Sequence, residues 1–302
     1  MILVVDGNNL AFVANSIESL SRADGFPTQA IANSLKLLRS YILNFRAEKI
    51  FVAWDGGKSK KRLALHPTYK ESRKEKNKTP AAKMNFEELL VQLPILKQAI
   101  ADLGLYIMQG PGIEGDDLVA LMAKQLDRAG KKATIISSDS DFHQLVTPNV
   151  SVYSVMSRKS GRHITYENFS EVYEGLTPEQ FLEFKSLQGD SSDDIPGVKG
   201  IGPVAARKIL LEFGSVVDWR DKVISGAVSP SKTQEKIITG WESFILSRSM
   251  IDLHTPLADF STAKIHRQEP DWNAVRVMAL DNQIKSIFVD FQTWISPFKR
   301  LH

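Results

Sequence analysis

Short, unbroken apolar runs alternate with longer stretches of helical period along the first half of the chain. Ile2-Leu-Val-Val5, Ile50-Phe-Val-Ala-Trp54, Leu105-Tyr-Ile-Met108 and Ala133-Thr-Ile-Ile136 have the length and continuity of strands buried on both faces. Between them, apolar residues recur at helical spacing. Ile31, Leu35, Leu38 and Ile42 predict a helix from about Thr28 to Phe45, a second is expected from Glu87 to Leu103, and a third follows Gly112 and runs to Arg128, where Gly130 closes it. This alternation predicts an α/β fold with a mostly parallel central sheet flanked by helices. Residues Asn149 to Thr165 suggest short strands or loops with a hairpin at Ser160-Gly161. Two helices, Pro178 to Leu187 and Pro203 to Phe213, flank Gly197-Val-Lys-Gly-Ile-Gly202, the form of a helix-hairpin-helix. Trp219 to Arg248 reads as helical, and the tail from Ile251, with Trp272, Phe288, Phe291 and Trp294, is expected to pack back on the body. The expected division is an α/β domain over 1–177, including a basic segment at 58–83, and a helical region over 178–302 with the hairpin motif at 178–213.

Each predicted strand ends in acid. Asp6 follows the first, Asp55 the second, Glu114, Asp116 and Asp117 the third, and Asp139 and Asp141 the fourth. In open α/β sheets ligands bind at the carboxyl edge, so these groups are expected to share one site. One aspartate after a strand is explained by turn formation or helix capping. Four strand ends together are not. The run Gly112-Ile-Glu114-Gly-Asp116-Asp117 puts three carboxylates at a helix start, where the helix dipole offsets only part of their repulsion. Glu114 and Asp117 share a helix face with Asp116 beside them, so all three are expected to point into one pocket that holds something cationic. Asp190 and Asp193, just before the hairpin, are further candidates.

Composition narrows the chemistry. The 302 residues carry a formal charge of +3 and no cysteine, which excludes disulfides, zinc-thiolate sites and thiol nucleophiles. An all-oxygen ligand set suits hard divalent ions, Mg²⁺ or Mn²⁺. Two such ions about 3.5–4 Å apart can activate water and stabilise a leaving oxygen in phosphoryl displacement. Ten basic residues between Lys58 and Lys83 face only Glu71 and Glu75, a segment that reads on its own either as a solvated charged loop or as an electrostatic guide for a polyanion. The hairpin glycines allow tight turns, and bare amides at the next helix start can meet phosphate without reading bases. No signal peptide and no membrane span are evident, so a cytoplasmic protein is expected.

Val5-Asp6-Gly7-Asn8, Trp54-Asp55, Gly112-Ile-Glu114-Gly-Asp116-Asp117, Ser138-Asp139-Ser-Asp141-Phe142, and Gly189-Asp190-Ser-Ser-Asp193 with the hairpin stand in the order seen in the flap endonuclease family. The chain resembles the 5′-nuclease domain of bacterial DNA polymerase I and the free-standing 5′–3′ exonucleases of bacteriophages over roughly residues 1–215. The resemblance implies a PIN-like sheet and a stand-alone, monomeric nuclease of a bacterial or phage-infected cell. Its expected substrate is branched or 5′-flapped DNA, and two Mg²⁺ (or Mn²⁺) are implied, with K⁺ at the hairpin carbonyls. It implies that Asp6, Asp55, Glu114, Asp116 and Asp139, with Asp117 close by, form the metal cluster, and that Asp141, Asp190 and Asp193 are the more distant carboxylates. The segment at 58–83 resembles the helical arch that admits a single-stranded 5′ end. There Tyr69-Lys70-Glu-Ser-Arg73 matches the family's Tyr-Lys-x-x-Arg, which gives Lys70 and Arg73 the scissile phosphate. Tyr69 would either stack on an unpaired base or pack under the arch. Lys185 is a further phosphate contact, and Gly197, Lys199, Gly200 and Gly202 would meet the duplex. Asp194 departs from the asparagine common at its position. Two other readings stay open on the residues alone, a non-catalytic helix-hairpin-helix module and a PIN-type ribonuclease.

Overall fold

The computed structural model describes residues 1–72, 79–154, 163–255 and 257–302. Strand β1 (Ile2–Asp6) runs into helix α1 (Gly7–Asn15), and α2 (Gln29–Phe45) leads to β2 (Lys49–Ala53). A short helix, α3 (Lys60–Leu65), and a long one, α4 (Pro80–Asp102), precede β3 (Tyr106–Gln109). Helix α5 (Gly115–Arg128), β4 (Ala133–Ile136), a 3₁₀ turn at Ser140–Leu145, β5 (Val150–Tyr153), β6 (His163–Ile164) and α6 (Phe169–Val172) complete the first half. The second half holds α7 (Pro178–Gln188), α8 (Pro203–Phe213), α9 (Val216–Ile224), α10 (Lys232–Thr239), α11 (Trp241–Ile251), β7 (Lys264–His266), α12 (Trp272–Asp281), α13 (Lys285–Phe288) and α14 (Phe291–Lys299). The hairpin expected at Ser160-Gly161 lies outside the described residues.

The strands form one sheet in the order β6-β5-β4-β1-β2-β3-β7, with β1 to β5 parallel and both edge strands antiparallel. Side chains alternate across it as a pleated strand requires. Leu3 and Val5 enter the core shared with α2 and α4, while Val4 enters the core shared with α5 and the helices after residue 177. Strand β1 lies between β2 and β4, so the chain leaves it in opposite directions and opens a crevice at the carboxyl ends. All four acid-bearing strand ends lie on that edge.

Two differences from the sequence reading have identifiable causes. Helix α4 begins at Pro80 rather than Glu87, because the Thr79 side chain accepts from the Ala82 amide and Pro80 fits the first turn. The basic segment is not all solvated: Ser59 caps α3, and Ser59, Arg62 and Tyr69 are buried, Tyr69 in an apolar cluster with Leu182, Ile195, Met250 and Ile251. Apolar packing also runs across residue 177. The tail packs back as expected, and it goes further, since β7 pairs with β3 and Val275, Ala279, Ile287, Trp294, Ile295 and Phe298 share one core with β1, α2 and α4. Truncation of the fully buried Phe298 to alanine should therefore destabilise the whole body by about 3–5 kcal/mol in denaturant unfolding. A loss under about 1 kcal/mol would show that α14 is an appendage.

Candidate active site

The strand ends are knitted together by polar bonds between the candidate acids and side chains outside the candidate set. Asp6 caps α1 by accepting from the Asn9 amide at 3.0 Å, and it also accepts from the Ser137 hydroxyl at 3.0 Å, so the ends of β1 and β4 are tied. Asn9 accepts in turn from the Ser138 amide and hydroxyl. The Asp55 amide donates to Asn8 Oδ1 at 3.0 Å, and the Asp55 carboxylate accepts from the Gly115 amide at 2.6 Å, joining β2 to the start of α5. Gly56 makes this join possible. Its amide and carbonyl bond Ile113 and Gly112, and a Cβ there would stand 1.8 Å from the Gly110 oxygen. The repeated asparagines after the first strand were the available sequence signal for Asn8 and Asn9.

The carboxylates fall into two electrostatic groups. Asp6, Asp116 and Asp139 have one another, with Asp55 and Asp141, as charged neighbours. Burial, then the charge of Asp55, pushes Asp6 up to about 6. Burial, then Asp141, pushes Asp139 up to about 7. Asp116 is raised well above the usual carboxylate range by burial and by Asp139, with Lys70 only partly opposing. The second group faces cations. Lys70 Nζ lies 2.7 Å from Glu114 and 3.8 Å from Asp193, while Lys185 Nζ lies 2.9 Å from Asp141 and 3.7 Å from Asp190. Burial pushes Glu114 up, but Lys70 and Arg62 outweigh it and leave its carboxyl below the ordinary value. Each lysine thus bridges a carboxylate of the sheet edge to one of the loop before the hairpin.

The three acids of the Gly112 motif do not share a pocket. Asp116 faces the carboxylate crevice. Glu114 accepts from the Ser59 amide, the Tyr69 hydroxyl and Lys70. Asp117 is turned away and forms a bidentate pair with Arg62 at 2.7 and 2.8 Å, with both side chains at most 3 % exposed. Arg62, absent from the candidate set, also donates to the Met250 carbonyl and lies 3.6 Å from Glu114. Tyr69 is only 4 % exposed, which matches packing beneath the basic segment and not a surface for stacking. Arg73 lies outside the described residues. A cavity of about 20 Å³, lined among others by Arg62, Tyr69, Asp116, Asp141 and Asp193, has room for about one water.

At the hairpin, Gly189 and Gly197 cross so closely that a Cβ on either would stand within 2.5 Å of the other strand's backbone. Gly197 is buried and donates its amide to the Ser247 hydroxyl at 2.9 Å, so it builds the turn and does not offer that amide to a ligand. Lys199, Gly200 and Gly202 are exposed, Gly202 as the cap of α8. Lys236 Nζ lies 3.5 Å from the Gly200 carbonyl.

Among the described residues, no three acidic or histidine side chains are already gathered around one point as a closed ligand set. The donors nonetheless fit hard divalent ions. Buried aspartates that raise one another's pKa are only partly offset by Lys70 and Lys185, and ions held largely through water need few direct ligands.

The chain matches the family described as 5′-3′ exonuclease, N-terminal resolvase-like domain, over residues 1–174, and the 5′-3′ exonuclease, C-terminal SAM fold, over residues 176–273. The thermostable DNA polymerase I of Thermus thermophilus is 31 % identical over 297 residues, which is 98 % of this chain and 34 % of the polymerase. The chain thus spans about a third of that relative's length. The 5′-3′ exonuclease of Aquifex aeolicus is 28 % identical over 298 residues, covering 94 % of this chain and 92 % of that protein. The fold is similar to that of the bacteriophage T5 flap endonuclease in a pseudo-enzyme-product complex with DNA and metal ions, with a TM-score of 0.72, 23 % identity, and coverage of 99 % of this chain and 98 % of that one. It is also similar to the T5 5′-exonuclease with bound divalent metal ions (zinc), at a TM-score of 0.70, 24 % identity, and coverage of 99 % and 97 %. With both domain descriptions matched in sequence order and a relative 31 % identical over 98 % of this chain, the protein belongs to the 5′-3′ exonuclease family.

Proposed function

We propose that the protein is a structure-specific 5′ nuclease that hydrolyses DNA phosphodiesters near a junction of single strand and duplex, with Mg²⁺ (or Mn²⁺) as its ions and 5′-phosphate products. One observation carries the reading. Acids from four strand ends converge on one sheet edge beneath a basic segment, and burial together with neighbouring acids raises two of them to about 6 and about 7. Family membership and relatives that are exonucleases and polymerases support it.

Asp6, Asp116 and Asp139, with Asp55 and Glu114, would hold the ions, and Asp141, Asp190 and Asp193 would act mainly through intervening water. Divalent ions bound there would polarise the phosphate and lower the pKa of an attacking water. Asp117 stands outside this set because Arg62 occupies both of its oxygens. Among the described residues, Lys70 and Lys185 pair with carboxylates of the crevice, and their ammonium groups would turn from carboxylate to phosphate oxygen when substrate enters. Lys199, Gly200 and Gly202, at the start of α8, would meet duplex phosphates without regard to base. Terminal pairs would have to open to bring a phosphate to the recessed carboxylates, at a cost of a few kcal/mol. Branched or 5′-flapped DNA is the proposed partner of a monomer in a bacterial or phage-infected cytoplasm. A K⁺ ion at the hairpin would compete with Lys236 for the Gly200 carbonyl, so the cofactor reading rests on the divalent ions.

Cut positions mapped on an end-labelled 5′ flap, with Mg²⁺ titrated and then removed by EDTA, test the proposal directly; cleavage that survives EDTA would sink it. Asp116→Ala should reduce cleavage by at least about a thousandfold while flap binding stays within about threefold. Lys70→Ala should slow the single-turnover step more than it weakens binding, and equal losses would make Lys70 a binding residue only.

Stability should depend on pH in a way that the ions reverse. With ordinary values of 3.8 raised to about 6 and about 7, Asp6 and Asp139 keep their protons in the folded state after the unfolded chain has lost them. Metal-free protein should therefore lose stability as pH rises from about 4 to about 7 and level off above that. Glu114, whose value is lowered, gives the opposite slope, confined to pH below its ordinary 4.5. Mg²⁺ should accordingly raise the melting temperature more at about pH 8 than at about pH 5. Equal shifts at both would place the ion away from these aspartates.

A further inference from the structure

The base of the basic segment is fastened to the loop that leads into the hairpin. His66 Nε2 donates to the Asp194 carbonyl at 2.7 Å, the Lys70 amide donates to the Asp193 carbonyl at 3.1 Å, and the Ser72 amide donates to Asp194 Oδ2 at 2.8 Å. The loop itself is stiff. Asp190 and Ile195 exchange both backbone bonds, at 2.9 and 2.8 Å, and the buried Ile195 lies in the same apolar cluster as Tyr69. Lys70 and Asp194 both adopt left-handed backbone, with φ of 57° and 60°. For side chains other than glycine that conformation is held by surroundings. Through these bonds, the element that would grip duplex is continuous with the residue whose ammonium lies 2.7 Å from Glu114.

We propose that Asp194 is a positioning residue: its carboxylate, by accepting from the Ser72 amide, locks residues 66–72 onto the hairpin loop and so fixes where the Lys70 ammonium points. The inference rests on the nuclease reading for its catalytic consequence but not for the lock itself. A displacement of about 1 Å at a reacting group can cost about a hundredfold in rate, so a lock at this distance from the chemistry can govern turnover without touching substrate. It also makes the departure from asparagine at position 194 conservative, since either residue presents an acceptor oxygen and tolerates left-handed backbone.

Two substitutions separate the side chain from the backbone. Asp194→Gly keeps the freedom to adopt positive φ and removes the acceptor; Asp194→Asn keeps both. The glycine variant should lose about tenfold or more in single-turnover rate on a 5′-flap substrate, with KM within about threefold of the parent, whereas the asparagine variant should stay within about twofold. Without DNA or metal, amides of residues 66–72 should exchange with deuterium about fivefold or more faster in the glycine variant and at the parental rate in the asparagine variant, with α2 and α5 unchanged as the test of folding. Parental rate and parental exchange in the glycine variant would overturn the proposal, as would an asparagine variant that behaves like the glycine one. If the parent does not cut flapped DNA, the nuclease reading fails, and the exchange measurement alone decides the lock.

Discussion

Mutual repulsion among carboxylates at the end of a parallel sheet is the constraint around which this molecule is built. The sheet's order brings the ends of β1, β2, β3 and β4 side by side, and each delivers at least one acid to the same crevice. Burial multiplies the repulsion, because charges withdrawn from water are poorly screened. The fold answers with fixed cations where it can. Lys70 and Lys185 each sit between acids from different parts of the chain, Arg62 holds Asp117, and what they leave unneutralised around Asp6, Asp116 and Asp139 is the part suited to an exchangeable ion.

These bridges also define how the two halves of the chain hold each other. The loop before the hairpin meets the first half through Lys70 and Lys185, and Arg62 joins α3 to the end of α11 by its bond to the Met250 carbonyl. A buried bidentate pair such as Arg62 with Asp117 contributes little net stability compared with an apolar replacement, yet losing one partner strands the other. Its evident work is orientation, since it fixes the helix start from which Glu114 and Asp116 diverge.

Much of this was legible in the chain. The strands announced themselves as short apolar runs because they are buried on both faces, and the acids that follow them could be assigned to one edge because parallel strands present a single carboxyl end. Side-chain direction was not legible. Glu114, Asp116 and Asp117 look interchangeable as a motif, and only the position of Arg62 decides that Asp117 faces away. The same limit hid Arg62 and Tyr69 within a segment whose composition reads as solvated, since burial there depends on Leu182, Ile195, Met250 and Ile251 from beyond residue 177. The start of α4 was missed for a different reason: Thr79 and Pro80 are local signals, but the apolar period by which helices are recognised is weak in the first turns, where Met84 and Phe86 are exposed.

The margin of the sheet at β7 has a bearing on self-association. Parallel sheets that end in a long, flat, apolar strand invite another copy to add to them. Here the last strand is three residues, exposed throughout, reversed in direction, and carries Lys264 and His266 at its ends. Such a border offers a second molecule few backbone partners and a lysine in place of an adhesive seam, so the sheet's margin at β7 is blunted against edge-to-edge addition.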